Sequence, residues 1–259
     1  MPTPLVPNPD RMLKPKVSPD HESLSRHAAD WLAARLRARP DALLCLASGG
    51  TPTRTYELLA SQPQRLRRAR FLKLDEWGGL AMNDPATCES YFRRLLLAPL
   101  GRAHRLHGLR SRPADPETEC REVRAWLAVN GPIDVCILGL GVNGHLGFNE
   151  PAAALQPFAH VAKLSAASLN HGMLSNARNR PSYGLTLGMA DLLASREILL
   201  LVSGRHKRAV LRRLLAGTVT PRLPASFLWL HPRVTLLCDE AALGSSVAVA
   251  ADTASEPEE

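Results

Sequence analysis

Hydrophobic positions along this chain follow two alternating patterns, one typical of helices and one typical of buried strands. Apolar residues recur at helical spacing in five segments, at residues 21–39, 52–61, 88–97, 116–130 and 205–215. Mainly apolar, strand-like runs alternate with them, at residues 42–47, 71–74, 133–138, 198–202 and 234–238. Such runs separated by helices indicate a parallel sheet that is covered on both faces. The predicted fold class is α/β, a Rossmann-like open, mostly parallel sheet with helices on both faces and a small helical lid.

The chain length of 259 residues suits one large α/β domain or two small ones. We predict a single α/β domain over residues 20–245, with the lid at about residues 160–182. Residues 1–19 are proline-rich and are predicted to be irregular, whereas residues 246–259 have the composition of a disordered acidic tail. No apolar run approaches the roughly 20 residues that cross a bilayer, and no signal peptide is recognisable at the start. Five scattered cysteines without a CxxC pair argue against a zinc cluster or disulfide framework and favour a cytoplasmic location.

The net charge of +8 is compatible with two kinds of partner, nucleic acid or a phosphorylated small molecule. Aromatic residues make up only 5% of the chain, so a stacking platform for bases is poorly supplied. We therefore expect a small phosphorylated substrate, with no nucleic acid, membrane, metal or cofactor as partner. A homo-oligomer remains possible.

Two loops after predicted strands offer groups for an anion. The turn Ser48-Gly49-Gly50-Thr51 leads into a helix, whose free N–H groups and dipole, together with the two hydroxyl groups, would form a phosphate cradle. Lys207 follows another strand, near a helix start, and could face the same anion. The alternative interpretations are a tight turn and an isolated surface lysine.

Two further segments supply groups for proton transfer. Asp75 and Glu76 follow the strand at residues 71–74 and, in an extended segment, would point to opposite sides. One would then serve as a general base while the other binds a structural partner, and their mutual repulsion would raise a pKa. Otherwise both carboxylates are simply solvated.

Residues 139–151 begin with GxGxxG, but Gly147 and Pro151 would break the helix that a dinucleotide-binding motif must open. We interpret this segment as a long loop that exposes Asn143, His145 and Glu150. A histidine and a glutamate in one loop can form an acid–base pair. The alternative is a histidine that only packs the loop.

As an ordered set, these segments resemble the glucosamine-6-phosphate deaminase family, within the group that includes the 6-phosphogluconolactonases. The resemblance covers about residues 25–245; its most specific piece is FNEP at residues 148–151, and PASFLWLHP at residues 224–232 is similar to the galactosamine-6-phosphate deaminase/isomerase subgroup. It implies that His145, assisted by Glu150 and Asn143, opens the sugar ring and that Asp75 removes the C2 proton. The resulting enolamine would be protonated at C1, and hydrolysis of the C2 imine would release ammonia. The phosphate would bind Ser48, Gly49, Gly50, Thr51 and Lys207.

The chain departs from this family in its lid and activator positions. Leu174 stands near the place of a phosphate-binding arginine, which leaves His171, Arg178 and Arg180 as candidate replacements. Ala153, His160 and Ala162 occupy the positions that bind an N-acetyl sugar activator in allosteric members, so we expect no such activation. A lactone hydrolase and a non-catalytic sugar-phosphate sensor remain as alternative functions, and the epimer preference stays open.

Overall fold

The computed structural model describes residues 13–101 and 106–244. Its strands, in chain order, are β1 (Pro15–Ser18), β2 (Leu43–Leu46), β3 (Arg70–Lys73), β4 (Asp75–Gly78), β5 (Leu106–His107), β6 (Val135–Gly139), β7 (His160–Ala162), β8 (Tyr183–Thr186), β9 (Glu197–Val202) and β10 (Val234–Asp239). Seven of them form an open sheet in the order β1-β10-β9-β6-β2-β3-β5, with every neighbouring pair parallel. The predicted α/β class is therefore confirmed.

The helices of the described chain fall mainly where the apolar spacing predicted them. They are α1 (His21–Ala38), α2 (Gly50–Ala60), α3 (Cys88–Phe92), α4 (Pro116–Asn130), α5 (Ala166–Leu169), α6 (Met189–Leu193), α7 (Arg208–Leu215) and α8 (Glu240–Leu243). Asp20 caps α1 by accepting a hydrogen bond from the Ser23 N–H at 2.7 Å. A π-helical turn, Arg93–Leu97, continues α3, and a 3₁₀ turn, Arg205–Lys207, precedes α7. None of the described helices is long and apolar enough to span a membrane.

Side chains of the central strands alternate between two apolar cores. Leu44 and Leu46 on β2 pack into the core that α1 and α2 cover. Leu43 and Cys45, the alternating positions, pack into the core on the opposite face, which α4 and α7 cover. Because both faces of the sheet are buried at β2, both sets of its positions are apolar, which explains the continuous apolar run at residues 42–47.

The other three strands form a second, antiparallel sheet in the order β4-β8-β7. The segment at Asp75, which the sequence places in a loop after a strand, is strand β4 of this sheet, with Asp75 opposite Thr186 and Gly78 opposite Tyr183. The strand escapes pattern analysis because it is only four residues long and its partner is more than 100 residues away in the chain. The second sheet brings Asp75 and the end of the loop at residues 139–159 to one edge of the domain.

Two predicted boundaries need correction. Pro15–Ser18, expected to be irregular, is the edge strand β1 paired with β10. Proline is tolerated here because it is the first residue of an edge strand, where its missing N–H group is not needed for pairing. The lid region, predicted to be helical over residues 160–182, begins with strand β7, and only α5 and a 3₁₀ turn (Gly172–Asn176) within it are helical. The predicted tail at residues 246–259 lies outside the described residues.

Candidate active site

A pocket of about 1090 Å³ opens at the carboxyl ends of the parallel strands. It is lined by most of the residues that the sequence singled out, namely Ser48, Gly49, Gly50, Thr51, Asp75, His145 and Lys207. Asn143 and Glu150 lie behind His145 and are hydrogen-bonded to each other. The four loops thus converge on one pocket large enough for a hexose phosphate.

The loop between β2 and α2, Ser48–Thr51, lines this pocket, and its geometry suits an anion; we call it the anion loop. Gly49 has a φ of +118°, a conformation that side chains rarely adopt, and this places the start of α2 at Gly50. Both Thr53 Oγ1, at 2.8 Å, and the Tyr91 hydroxyl, at 3.1 Å, donate to the Gly49 carbonyl oxygen and hold the loop. A methyl group placed on Gly50 would meet no atom within 4 Å, so there is open space above the helix N-terminus. An anion can enter there and accept hydrogen bonds from the first-turn N–H groups.

His171 lies over this anion loop. A methyl group on Gly49 would be 3.4 Å from its Nε2. Its Nδ1 accepts the Met173 N–H at 3.3 Å, which leaves the proton on Nε2, the atom that faces the loop. Burial lowers the pKa of His171, and the nearby His145 and Lys207 lower it further. His171 is therefore a neutral N–H donor at the anion loop, whereas Arg178 and Arg180 are exposed side chains outside the pocket lining.

Glu76 and Asp75 have separate partners. The Glu76 side chain is fully buried and accepts from Lys73 Nζ at 3.0 Å and from the backbone N–H groups of Cys88 and Glu89 at the start of α3. Lys73 is also buried and bridges to Glu89 at 2.8 Å. Asp75 instead faces the pocket. Of the two carboxylates, Glu76 is therefore the structural one, and Asp75 is free to act on a ligand.

Burial raises the pKa of Asp75 to about 7, and the negative charge of Glu76 adds to the rise. The sequence led us to expect repulsion between the two carboxylates as the cause, but burial is the larger effect, because Asp75 is only 8% exposed and loses most of its hydration. Near neutral pH the group is thus present as both acid and base.

The loop at residues 139–159 holds His145 against Glu150. Nδ1 of His145 is buried and lies 3.3 Å from Glu150 Oε2. Asn143 braces both residues, since its Oδ1 accepts the His145 backbone N–H at 3.1 Å and its Nδ2 donates to Glu150 at 2.8 Å. Gly141 packs flat on the imidazole, where a side chain would collide with the ring. Nε2 is the ring nitrogen that does not face Glu150, and His145 lines the pocket.

Glu150 also binds the segment that covers the pocket. Its Oε1 accepts hydrogen bonds from the hydroxyl groups of Ser165 and Ser168, the latter on α5. Burial raises the pKa of Glu150, but His145, Ser168 and Asn143 outweigh that effect and lower it to about 2. Glu150 therefore stays ionised next to the His145 ring.

Residues 19–237 match the model of the family described as glucosamine-6-phosphate isomerases/6-phosphogluconolactonase. The chain belongs to this family. Among the described residues no cluster of His, Cys, Asp or Glu side chains that could hold a metal ion is present.

Several relatives within the family are similar over most of their length. A protein of Escherichia coli strain K12 that is named as a candidate deaminase, AgaI, is 42% identical over 217 residues, covering 82% of this chain and 86% of the relative. The glucosamine-6-phosphate deaminase of Rhodopirellula baltica is 36% identical over 234 residues, covering 88% and 93%. The structure of a monomeric glucosamine-6-phosphate deaminase superposes with a TM-score of 0.83 at 34% identity, covering 88% of this chain and 98% of that one. A 6-phosphogluconolactonase from Leishmania guyanensis, at 21% identity and a TM-score of 0.74, shares the fold.

Several residues of the site were not identified by the sequence analysis. Ser165 and Ser168 carry no motif, and only folding brings them to Glu150. Trp77 and Phe148 pack together with ring centroids 4.6 Å apart and form part of the pocket wall. Cys88, which has no CxxC partner, lies directly behind Asp75. Each of these contacts joins segments that are distant in the chain or unmarked by composition.

Proposed function

We propose that this protein is an amino-sugar phosphate deaminase/isomerase that converts glucosamine 6-phosphate or galactosamine 6-phosphate, with water, into the ketohexose 6-phosphate and ammonia. The observation that supports this most directly is the convergence of the anion loop, Asp75 and the His145–Glu150 pair in one pocket. Family membership and the deaminases among the relatives agree with it.

Substrate binding would begin with the phosphate group. Thr51, Lys207 and the start of α2 line this pocket and supply hydroxyl, ammonium and N–H donors, and Ser48 lies beside them in the anion loop. These donors fix one end of the hexose. With the phosphate bound there, the sugar ring extends towards Asp75 and His145.

Ring opening would be the task of His145. Its Nε2 takes the proton of the anomeric hydroxyl group and returns a proton to the ring oxygen, while the ionised Glu150 stabilises the transient imidazolium. Asn143 orients both partners but cannot exchange a proton itself. The serine contacts at Oε1 keep Glu150 in place during this step.

Asp75 would then move the proton from C2. A carboxyl group with a pKa of about 7 is half ionised at neutral pH, so it can accept the C2 proton and deliver it to C1 of the enolamine. Because C2 hydrogens are weakly acidic, close positioning in a partly desolvated pocket is needed as well as basicity. Addition of water to the C2 imine releases ammonia and leaves the ketose phosphate.

The test is an ammonia-release assay with both epimers side by side, on wild type and Asp75→Asn. We expect turnover by the wild type and a loss of at least about a thousandfold in the variant, because the base is removed while the carboxamide keeps its shape. Turnover within a few-fold of wild type would refute Asp75 as the base. Hydrolysis of 6-phosphogluconolactone without ammonia release would instead favour the lactone hydrolase.

The assay also tests regulation and epimer choice. We expect a hyperbolic rate curve that N-acetylglucosamine 6-phosphate does not change. Of the three activator positions, Ala153 and Ala162 have no polar side chain that could bind its phosphate, and His160 has only an imidazole. His160 is already engaged, with Nδ1 at 2.9 Å from the Phe158 carbonyl oxygen. Clear activation would contradict this expectation.

A further inference from the structure

A buried thiol connects the anion loop with the proposed base. Cys88 is fully buried at the start of α3, behind the pocket wall and outside its lining. Its Sγ donates to Asp75 Oδ1 at 3.7 Å and lies 3.2 Å from the Ser48 hydroxyl oxygen. One side chain therefore touches both Ser48 and Asp75 without reaching the space a substrate would fill.

The surroundings hold this cysteine rigidly. Its backbone N–H donates to Glu76 Oε1 at 2.8 Å, and the Glu89 N–H donates to the other oxygen of the same carboxylate at 2.9 Å. Thr87 caps the same helix by accepting from the Ser90 N–H. Because Glu76 is itself bound to the buried Lys73, this network fixes the Cys88 backbone, from which the thiol extends to Asp75.

The chemistry of the site makes Cys88 a donor. Burial raises the pKa of its thiol well above the usual value, and the charges of Glu76 and Asp75 raise it further, so sulfur keeps its proton. The other titratable groups around Asp75 are Glu76 and Lys73 on the same segment, Cys45 on β2 and Tyr56 on α2. Burial raises the pKa of both Cys45 and Tyr56, so these two stay neutral.

We infer that Cys88 is a positioning residue for proton transfer, whose S–H group holds one carboxylate oxygen of Asp75 and ties it to Ser48 of the anion loop. A hydrogen bond to the ionised form of Asp75 favours that form and opposes part of the effect of burial. The assignment of Asp75 as base rests on the proposed function, whereas the contact between Cys88 and the carboxyl group does not.

Three variants test the inference in the full-length protein. Cys88→Ala and Cys88→Val both remove the donor, and valine, which is somewhat larger than cysteine, leaves no cavity. Cys88→Ser retains a donor on a slightly shorter bond. Cys120→Ala is the matched control, because Cys120 is a buried cysteine on α4 outside the pocket.

The primary readout is the titration of the Asp75 carboxyl carbon by ¹³C NMR, assigned by its absence in Asp75→Asn. We expect the midpoint of this titration to rise by about half a pH unit in the alanine and valine variants. It should return towards the wild-type value in the serine variant and stay unchanged in Cys120→Ala. The apparent pKa of the acid limb in the pH profile of kcat/KM for ammonia release should rise by the same amount. A wild-type midpoint in both donor-free variants, or equal shifts with serine and alanine, would overturn the inference.

The two readouts separate this inference from the proposed function. The NMR titration needs no turnover, so an enzyme that releases no ammonia would refute the function and still leave the Cys88 contact testable. A structural role alone would lower activity in the variants but leave the Asp75 midpoint in place. A shift in the alanine variant but not in the valine variant would assign the effect to the cavity and refute donation.

Discussion

Asp75 and Glu76 are neighbours in the chain, but their carboxyl groups lie on opposite sides of strand β4. Glu76 is fully buried among Lys73 and the first N–H groups of α3, whereas Asp75 faces the pocket with 8% of its surface exposed. Glu76 thereby fixes the strand and adds a negative charge next to Asp75. The Asp75 carboxyl group is thus prepared to hold a proton at neutral pH.

Replacement of Asp75 by asparagine should stabilise the protein at alkaline pH. The pKa of Asp75 rises from 3.8 to about 7 on folding, so its favourable contribution is complete below pH 4 and is lost as the pH rises through 7. The variant carries no charge there. Relative to wild type, its free energy of unfolding should gain on the order of 3 kcal/mol more at pH 8 than at pH 5.

Urea unfolding of both proteins at the two pH values checks this. A stability difference that does not grow between pH 5 and pH 8 would show that Asp75 is not held with a raised pKa. Activity of the same preparations, measured as ammonia release, links the stabilisation to the loss of the proposed base.

Glu150→Gln should change the pH dependence of stability in the opposite direction to Asp75→Asn. The pKa of Glu150 falls from 4.5 to about 2 on folding, so the carboxylate stabilises the protein above pH 4.5 and this contribution is lost as the pH falls through 2. The variant should be less stable than wild type by about 1–3 kcal/mol at pH 7, and the gap should narrow below pH 4. It should also lose about a hundredfold in kcat, because His145 loses its charged partner.

Thermal unfolding from pH 7 down to pH 3, with kcat measured at pH 7, checks both parts. Glu122→Gln is the control, since Glu122 is an exposed partner of Arg110 far from the pocket. A stability gap for Glu150→Gln that stays constant down to pH 3 would mean that the carboxylate gains nothing from its partners.

His171→Ala should raise KM about tenfold and leave kcat within a few-fold, because it removes a neutral N–H donor from the anion loop and does not touch the proton-handling groups. His171→Gln should restore most of the affinity, since its amide can place a donor near the position of Nε2. Arg178→Ala and Arg180→Ala should behave as wild type.

Steady-state kinetics on all four variants distinguish the three candidates of the lid region. An increase in KM for either arginine variant equal to that of His171→Ala would contradict the assignment. Inhibition by inorganic phosphate offers an independent measurement, because among these four variants only His171→Ala should weaken it clearly.

Lys207→Gln should weaken binding of the phosphate group. Burial lowers the pKa of Lys207, and the side chain lines the same pocket as the anion loop. We expect KM for the phosphorylated amino sugar to rise about tenfold to a hundredfold, while slow turnover of the unphosphorylated amino sugar stays unchanged. Equal losses on both substrates would assign Lys207 to another part of the reaction.

The sequence by itself determined the framework and the types of group in the pocket. Continuous apolar runs between helices can be buried only in a parallel sheet with two covered faces, and the loops after β2, β6 and β9 then meet at one edge. The strand at residues 42–47 is followed by Gly49, by hydroxyl groups on both sides of it and by a helix, and this order of residues predicts an anion loop. These features are local in the chain, so their physical consequences can be derived from the order of residues.

Only the tertiary structure decided which of these groups act together. Strand β4 exists because it pairs with β8, more than 100 residues away, and its burial, rather than repulsion from Glu76 alone, sets the pKa of Asp75. Three features depend on contacts between distant segments: the position of His171 in the pocket lining, the serine contacts of Glu150 and the Cys88 thiol behind Asp75. Hydration and hydrogen-bond geometry at such contacts follow from packing, which no local pattern of residues records.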